Sequence, residues 1–199
     1  MDLRVVKTRK AIEQAFIRLL SQNTFDRITV QNILDEALVN RKTFYSHYSD
    51  KYELADLLIE EQLALFKEAL ETRLSHDENE EGFPEVLRDF YLGLQENRVN
   101  LLALMDVRTE RHCLRDELIA LLKDAYRERV ERDDDMQMDD ITLDYLSSYY
   151  AATVISSIRW FLETNDERAI KVIENVARRH DSEPAYWFVD TPFAQKRGR

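Results

Sequence analysis

Residues that interrupt helices are scarce in this chain of 199 residues, which holds three glycines and three prolines. A sheet protein of similar length needs many tight turns, and tight turns draw on these two residue types. The shortage therefore argues against a strand-rich architecture. Together with long stretches of helical periodicity, it predicts an all-α fold of about nine helices.

Cysteine and long apolar runs are scarce as well. Cys113 is the single cysteine, so the chain holds no internal disulfide, which fits a reducing compartment. The opening segment, MDLRVVKTRK, lacks the apolar stretch of a secretory signal, and no run of about 18 apolar residues is present. We therefore expect a cytoplasmic protein that does not bind a membrane.

Patterns that carry catalysis or hold a cofactor are missing too. The sequence has no glycine-rich loop that would cradle a phosphate and no convincing Ser/His/Asp arrangement. His112 and Cys113 are adjacent, so on a helix they point about 100° apart and do not form a metal-binding pair. The acidic run at 132–140 lacks the glycine and terminal glutamate of a calcium loop. We expect no enzymatic activity, no cofactor and no metal site.

Basic residues are in the minority overall, since the formal net charge is −11. Their distribution is uneven: residues 1–51 hold nine basic and six acidic residues, whereas residues 52–199 hold nineteen and thirty-three. A basic segment on an acidic body suits a protein that touches nucleic acid with one end only. Chance fluctuation of surface charge explains the same numbers, so charge by itself leaves both interpretations open.

The periodicity divides the chain into a small N-terminal three-helix domain, residues 1–51, and a larger helical domain, residues 52–199. A long linking helix at 51–75 joins them, and acidic stretches at 76–85 and 132–140 are predicted to be loops. In the first domain we expect a loose arm at 2–7 before a helix that Thr8 caps. Further on, we expect helices from about 109 to 131, 141 to 163 and 166 to 179.

Residues 28–51, ITVQNILDEALVNRKTFYSHYSDK, predict a short helix capped by Thr29, a tight turn and a second short helix at 41–48 capped by Asn40. The second helix places polar and basic side chains on its accessible sides, with Phe44 and Tyr48 as apolar anchors. A helix of this kind fits the major groove of DNA. Helix pairs with such turns also occur in all-α cores that never touch DNA, and a plain packing role for Tyr45 stays open.

This stretch resembles the N-terminal helix-turn-helix domain of the TetR family of bacterial transcriptional regulators, over about residues 7–58. The resemblance is carried by Ile28–Thr29–Val30, Thr43–Phe44–Tyr45, His47–Tyr48 and Asp50–Lys51–Tyr52–Glu53–Leu54. Asn40–Arg41 ahead of Thr43 is similar to a variant frequent in that family, which suggests an Asn-Arg-x-Thr-Phe-Tyr recognition helix.

The resemblance implies a homodimer that binds double-stranded DNA with its recognition helices in successive major grooves. It implies phosphate contacts from Thr29, Tyr45, His47 and Lys51. The full predicted DNA-binding set is Thr29, Asn40, Arg41, Lys42, Thr43, Tyr45, Ser46, His47 and Lys51. Leu38 and Lys42 depart from the family pattern, which has small residues at both positions. A left-handed Leu38 would cost roughly 1 kcal/mol, so we expect the turn to differ slightly.

The segment at 141–163 is apolar on more than one side, so it must be buried on more than one side. One side can serve its own core and another a partner subunit, in a four-helix bundle with the helix that follows. The predicted dimer interface comprises Ser148, Ala152, Ile155, Ser156, Ile170, Ile173 and Ala177. A central core helix in a monomer is the alternative.

The TetR resemblance also implies a small molecule inside the C-terminal domain that alters the dimer and releases DNA. Candidate pocket residues are Tyr91, Leu101, Leu104, Met105, Cys113, Leu114, Leu118 and Tyr149, although a residue of each kind is more often plain core. The sequence thus predicts a repressor of a palindromic operator with an unidentified effector. One alternative is a regulator, or an activator, under the control of a protein partner. Another is a helical enzyme or adaptor with an incidental helix-turn-helix.

Overall fold

The computed structural model describes residues 3–74, 83–132, 138–166 and 168–182. Within those residues it contains nine α-helices, one 3-10 turn at Phe25–Arg27 and one isolated bridge between Arg108 and Cys113. The predicted all-α fold is therefore confirmed. The helices are α1 Leu3–Leu20, α2 Val30–Ala37, α3 Arg41–Tyr45, α4 Lys51–Leu74, α5 Phe83–Glu96, α6 Arg98–Leu104, α7 Leu114–Arg132, α8 Asp140–Thr164 and α9 Arg168–Ser182.

The first helix begins earlier than predicted. α1 already includes Leu3, so the expected loose arm is helical over residues 3–7. Thr8 lies inside the helix, where its hydroxyl donates to the carbonyl oxygen of Arg4 at 2.9 Å, and it is not the N-cap. The apolar pattern starts late because the first turns are exposed. Their arginine and lysine residues favour helix as well as apolar residues do.

The start of α2 follows the prediction closely. The hydroxyl of Thr29 accepts a hydrogen bond from the amide of Asn32 at 3.2 Å, and the amide of Thr29 donates to the Asn32 side chain at 2.9 Å. This reciprocal pair is a capping box, with asparagine in the place of the usual Glu or Gln. It fixes the point at which the chain enters the helix-turn-helix.

The turn after α2 is left-handed at Leu38, with φ of 55° and ψ of 40°. The expectation that leucine would alter this turn is wrong, because the backbone adopts the left-handed conformation in spite of the Cβ. The Leu38 side chain is 92 % exposed, so no packing opposes it. The amide of Val39 then donates to the carbonyl of Leu34 at 3.1 Å, which closes α2.

Side-chain caps also define the next two helices. The Asn40 side chain accepts from the amide of Thr43 at 2.8 Å, as predicted. α3 ends at Tyr45, and residues 46–47 continue it as a turn rather than as helix. Asp50 accepts from the amides of Tyr52 and Glu53, both at 2.8 Å, and so caps α4.

A single hydrophobic core runs from α1 to α9 and does not break at residue 51. α1 packs against both α2 and α6, and α4 packs against α5, α6 and α7. The helix-turn-helix is therefore held to the body by two helices. Completely buried side chains of this core include Ile12, Phe16, Ile33, Phe44, Leu54, Ile59, Leu104, Leu114, Leu118, Leu122 and Leu162.

The body departs from prediction mainly at the start of α7. That helix begins at Leu114 instead of near residue 109, because the amide of Thr109 donates to the carbonyl of His112 at 2.9 Å and forms a tight loop. The bounds of α4, α8 and α9 differ from prediction by no more than three residues. Most of the predicted acidic loop at 76–85 lies outside the described residues. No helix in the described part of the chain is long and apolar enough to cross a membrane.

Candidate nucleic-acid interface

Residues 41–48, here called the recognition segment, comprise α3 and the turn that continues it, and one side of this segment anchors it to α1. Phe44 and Tyr48 are buried, with ring centroids 5.8 Å apart. The hydroxyl of Tyr48 donates to Glu13 on α1 at 2.9 Å, and the guanidinium of Arg9 donates to the same carboxylate oxygen at 2.6 Å. Burial, and then the Glu13 carboxylate, raises the pKa of Tyr48, so this hydroxyl stays protonated and remains a donor.

The opposite side of the segment faces solvent. Arg41, Lys42, Tyr45 and Ser46 are exposed, and Thr43 and His47 are half-buried. These side chains lie on α3 and the turn that continues it, so the structure brings six of the nine predicted residues onto one short surface. Tyr45 packs its ring edge-on against Phe44 at 5.5 Å, yet it stays 49 % exposed. Packing therefore does not remove Tyr45 from this surface.

Two predicted residues are engaged as caps. The Asn40 oxygen also accepts from the hydroxyl of Thr43 at 3.1 Å, and the Thr29 hydroxyl donates to Asn32 at 2.6 Å. Both residues are exposed at helix starts. Their first role is to fix where α2 and α3 begin. Because α2 presents its amide end here, an anion approaching Thr29 also meets a favourable helix dipole.

Lys51 makes contacts within the protein that the sequence did not predict. Its ammonium donates to the carbonyl oxygens of Ile28 at 2.8 Å, Phe25 at 2.9 Å and Asp26 at 3.4 Å. It also lies 4.5 Å from the centroid of the Phe25 ring. An ammonium has three N–H donors, and all three have a carbonyl within reach. Lys51 therefore fastens α4 to the 3-10 turn, and its predicted phosphate contact stays a prediction.

Two exposed side chains on α2, Gln31 and Asp35, were not among the predicted site residues. The guanidinium of Arg41 donates to the amide oxygen of Gln31 at 3.3 Å, and the Gln31 amide nitrogen donates to Asp35 at 2.8 Å. The i, i+4 spacing of Gln31 and Asp35 was visible in the sequence. The link from Gln31 to Arg41 was not, because it depends on how α2 crosses α3.

Most of the predicted effector pocket lies in close-packed core. Tyr91, Leu101, Leu104, Met105, Leu114 and Leu118 are buried side chains. Cys113 is half-buried in the loop before α7, and Tyr149 lines a groove on α8. Six of the eight candidates are thus buried in this protomer, while Cys113 and Tyr149 are partly exposed. Most of the candidates were apolar residues, and the same residue types line pockets and fill hydrophobic cores.

The predicted dimer interface divides in a similar way. Ile155, Ile170 and Ile173 are buried within this protomer, so they belong to its own core and not to a free surface. Ala152 and Ser156 are exposed and Ser148 is half-buried, while the side chain of Ala177 lies outside the described part. A groove of about 420 Å³ runs along the exposed side of α8, lined by Tyr149, Ala152, Thr153, Ser156, Ser157 and Trp160.

The described residues hold no group of three or more His, Cys, Asp or Glu side chains arranged for a metal ion. What they do hold is a capped helix-turn-helix with a basic, solvent-facing second helix, carried by a long helix into a larger helical body. This combination defines the class of helix-turn-helix proteins in which a small basic domain is joined to a larger all-α domain. Residues 12–58 match the family of bacterial regulatory proteins called tetR. The N-terminal segment is thus a TetR-family helix-turn-helix domain.

Two curated relatives match the same region. The uncharacterized HTH-type transcriptional regulator YxbF of Bacillus subtilis (strain 168) is 37% identical over 65 residues, which is 32% of this chain and 17% of that protein. The dhaKLM operon transcriptional activator DhaS of Lactococcus lactis subsp. lactis (strain IL1403) is 33% identical over 57 residues, which is 29% of this chain and 30% of that protein. The chain thus spans less than a third of the length of either relative.

A solved structure extends the likeness of fold to the body. The TetR transcriptional regulator from Streptococcus agalactiae 2603V superposes with a TM-score of 0.54 at 24% identity, over 85% of this chain and 95% of that one. Both chains therefore share an N-terminal helix-turn-helix and a larger helical body.

Proposed function

We propose that the chain is a TetR-type transcriptional repressor that binds a palindromic operator as a homodimer and releases it when a small molecule binds the body. The observation that carries the proposal is the two-sided recognition segment. Phe44 and Tyr48 fix one side to the core, and Arg41, Lys42 and Tyr45 face solvent on the other. The match of residues 12–58 to the tetR family supports it.

In this proposal α3 enters the major groove with its N-terminal residues towards the bases. Arg41 reads a base edge and Lys42 meets the backbone, because a guanidinium recognises guanine through two donors whereas an ammonium acts as a point charge. The Asn-Arg-x-Thr-Phe-Tyr pattern gains a physical meaning here. Asn40 caps the helix, Phe44 anchors it, and Arg41, Thr43 and Tyr45 form the contact surface.

The charge distribution orients the protein on DNA. The basic domain carries the contacts, and the acidic body is repelled by the same phosphates. Non-specific attachment through the body is thereby disfavoured. Affinity then depends on few phosphate contacts, and it falls as salt rises because bound counterions are released on binding.

The homodimer is proposed to form through α8 and α9. Trp160 on α8, with Val172 and Val176 on α9, leaves apolar area in contact with solvent. Small residues, Ala152 and Ser156, line the groove beside Trp160 and permit a second helix to approach closely. Two copies packed here would form a four-helix bundle with twofold symmetry, which matches the symmetry of a palindrome.

Release is proposed to act through α4, because α4 starts at the helix-turn-helix and packs against α5, α6 and α7. Gln62 of α4 is 2 % exposed, and its amide oxygen has no hydrogen-bond partner among the described residues. Buried polar atoms are almost always paired, with protein, water or ligand. This supports an effector site beside Gln62, within the body.

Control by a protein partner, including activation, is the second candidate. The observation that favours it is that six of the eight predicted pocket side chains are buried in core. The relative DhaS is itself named a transcriptional activator. A partner protein that co-purifies with the chain, and alters its DNA affinity, would favour this candidate over a small-molecule effector.

The proposal is tested by selecting sequences from a random double-stranded DNA library with the purified protein. We expect a palindromic motif to be enriched, and Arg41→Ala and Tyr45→Ala to abolish the enrichment while the circular dichroism spectrum stays that of a helical protein. Gln14→Ala, an exposed change on α1, is the control. A wild-type protein that retains no DNA at low salt would exclude the proposed function.

A further inference from the structure

The loop between α6 and α7 is attached to α4 by polar contacts that the DNA-binding surface does not use. Asp56 on α4 is 5 % exposed and accepts a hydrogen bond of 2.6 Å from the hydroxyl of Thr109. Arg111 lies 3.9 Å from the other Asp56 oxygen. A movement of α4 must therefore either carry this loop with it or break these contacts.

His112 in this loop lies between two carboxylates on different helices. Its Nε2 is 3.2 Å from Glu60 of α4, and its Nδ1 is 2.9 Å from Glu117 of α7. The Glu117 oxygen also accepts from the amide of Cys113 at 3.2 Å, which fixes it at the start of α7. Both ring nitrogens thus face carboxylate oxygens at hydrogen-bonding distance.

Only a charged imidazole satisfies both carboxylates. A neutral histidine carries one N–H donor and one bare nitrogen, whereas the imidazolium donates from both nitrogens. If His112 loses its proton, either Glu60 or Glu117 faces a lone pair and the contact becomes repulsive. The two contacts together therefore require the protonated, charged form of His112.

We propose that His112 is a proton-dependent brace between α4 and α7, which holds α4 in the position described here when charged and loosens it when neutral. The link to DNA rests on the proposed function. Because α4 begins directly after the helix-turn-helix, a loosened α4 holds the recognition segment less firmly, so loss of the brace lowers DNA affinity. The protein then binds its operator more weakly as pH rises.

The surroundings of His112 are acidic from both helices that pack on it. Asp56 and Glu60 face it from α4, and Glu117 faces it from α7. In its own loop, Glu110 and Arg111 precede it in the chain, and the mostly exposed side chain of Arg111 is directed to Asp56. Arg108, at the start of the loop, is paired with Asp116 of α7 at 2.6 Å.

Burial by itself lowers the pKa of His112, but the hydrogen bond and charge of Glu117, with the charges of Asp56 and Glu60, outweigh it. The pKa is raised above the ordinary value of 6.5. A histidine with a raised folded-state pKa stabilises the fold fully below pH 6.5, and that stabilisation is lost as pH rises through the folded pKa.

The brace is tested first without DNA, by following the histidine ring carbon signals of the full chain in NMR between pH 5 and 9. His112 is assigned as the signal missing from His112→Gln. We expect it to titrate above 6.5, and its pKa to fall in Glu60→Gln and in Glu117→Gln. Glu61→Gln, an exposed change of equal charge on α4, should leave it unchanged. A pKa at or below 6.5, or an equal shift in all three variants, would overturn the brace.

The link to DNA is tested with the selected operator at constant ionic strength. We expect wild-type affinity to fall several-fold between pH 6 and pH 8.5, and less in Glu60→Gln, which retains the histidine, and in His112→Gln. The same fall in these variants as in the wild type would overturn the coupling. If the wild type binds no DNA at any pH, the proposed function fails, while the NMR titration still decides the brace.

Discussion

Tyr48, at the end of the recognition segment, donates a 2.9 Å hydrogen bond to Glu13 in the middle of α1. This bond joins residues 35 positions apart and is sheltered by the packing of Phe44 against Tyr48. It sets how far the recognition segment stands out from α1. The orientation of the side chains proposed to contact DNA therefore depends on a bond on the opposite, buried side of the segment.

Removing the hydroxyl should therefore weaken the anchor. Tyr48→Phe leaves Glu13 with Arg9 as a partner but removes a sheltered bond to a charged group, so we expect about 1–2 kcal/mol of lost stability. Urea unfolding measures this loss. Tyr45→Phe is the matched control, because Tyr45 is half exposed, and it should change stability by less than about 0.5 kcal/mol. Equal effects of the two changes would show that the bond contributes nothing.

Replacement of Leu38 by glycine should stabilise the protein. Its left-handed backbone costs a residue with a Cβ roughly 1 kcal/mol, and its side chain buries almost nothing. Leu38→Gly should raise the free energy of unfolding by up to about 1 kcal/mol, reduced by the greater freedom of glycine in the unfolded chain. Leu38→Ala keeps the Cβ and should leave stability nearly unchanged. A glycine variant that is less stable than the alanine variant would contradict the prediction.

Lys51 and Lys42 should separate structural from electrostatic roles. Lys51→Met removes the ammonium from three backbone carbonyls, so it should destabilise the protein by about 1–3 kcal/mol and leave the salt dependence of DNA affinity unchanged. Lys42→Met should do the reverse. It should preserve stability and reduce the slope of log affinity against log salt by about 1. A reduced slope for Lys51→Met would show that Lys51 contacts phosphate as well.

Gln31 should sharpen base recognition by Arg41. In Gln31→Ala the guanidinium loses a partner that holds it in place, so we expect reduced discrimination at one base pair per half-site with little change in stability. Arg41→Ala should cost about 1–3 kcal/mol at that same base pair. Binding to single-base operator variants measures both. Unaltered discrimination in Gln31→Ala would show that Arg41 is positioned without it.

Trp160 tests the proposed dimer. Trp160→Glu places a charge in the groove of α8, where burial against a second copy would leave it unpaired. We expect a monomer in light scattering and a loss of operator affinity of at least tenfold. Val99→Glu makes the same kind of change at an exposed apolar side chain of α6 and should leave the dimer intact. A Trp160→Glu protein that stays dimeric would place the interface elsewhere.

Local chemistry explains which parts of the helix-turn-helix were predictable. Thr29 and Asn40 act as caps through hydrogen bonds that span three residues, and such bonds are legible in a sequence. The left-handed backbone of Leu38 was not predictable, because the conformation of the whole turn determines whether the strain at one residue is tolerated. Lys51 shows the same limit, since its carbonyl partners lie more than twenty residues earlier in the chain.

In the body, periodicity located the helices but did not separate one apolar role from another. Ile155 and Ile170 were predicted at a dimer interface, and Leu104 and Leu118 in a pocket, yet all four are buried in the protomer's own core. Apolar side chains that face a core, a cavity or a partner have the same sequence pattern. Only the packing of α5 to α9 distinguishes them.

An all-α chain with a capped, basic second helix in its helix-turn-helix was predictable from residue order, because helix propensity, capping and charge act over a few residues. Tertiary packing accounts for the other contacts. It assigned Lys51 to backbone carbonyls, joined Arg41 to Gln31, and placed His112 between Glu60 and Glu117. Each of these depends on distances between separate helices, which are set by the packing of the whole core and not by the neighbours of a residue in the chain.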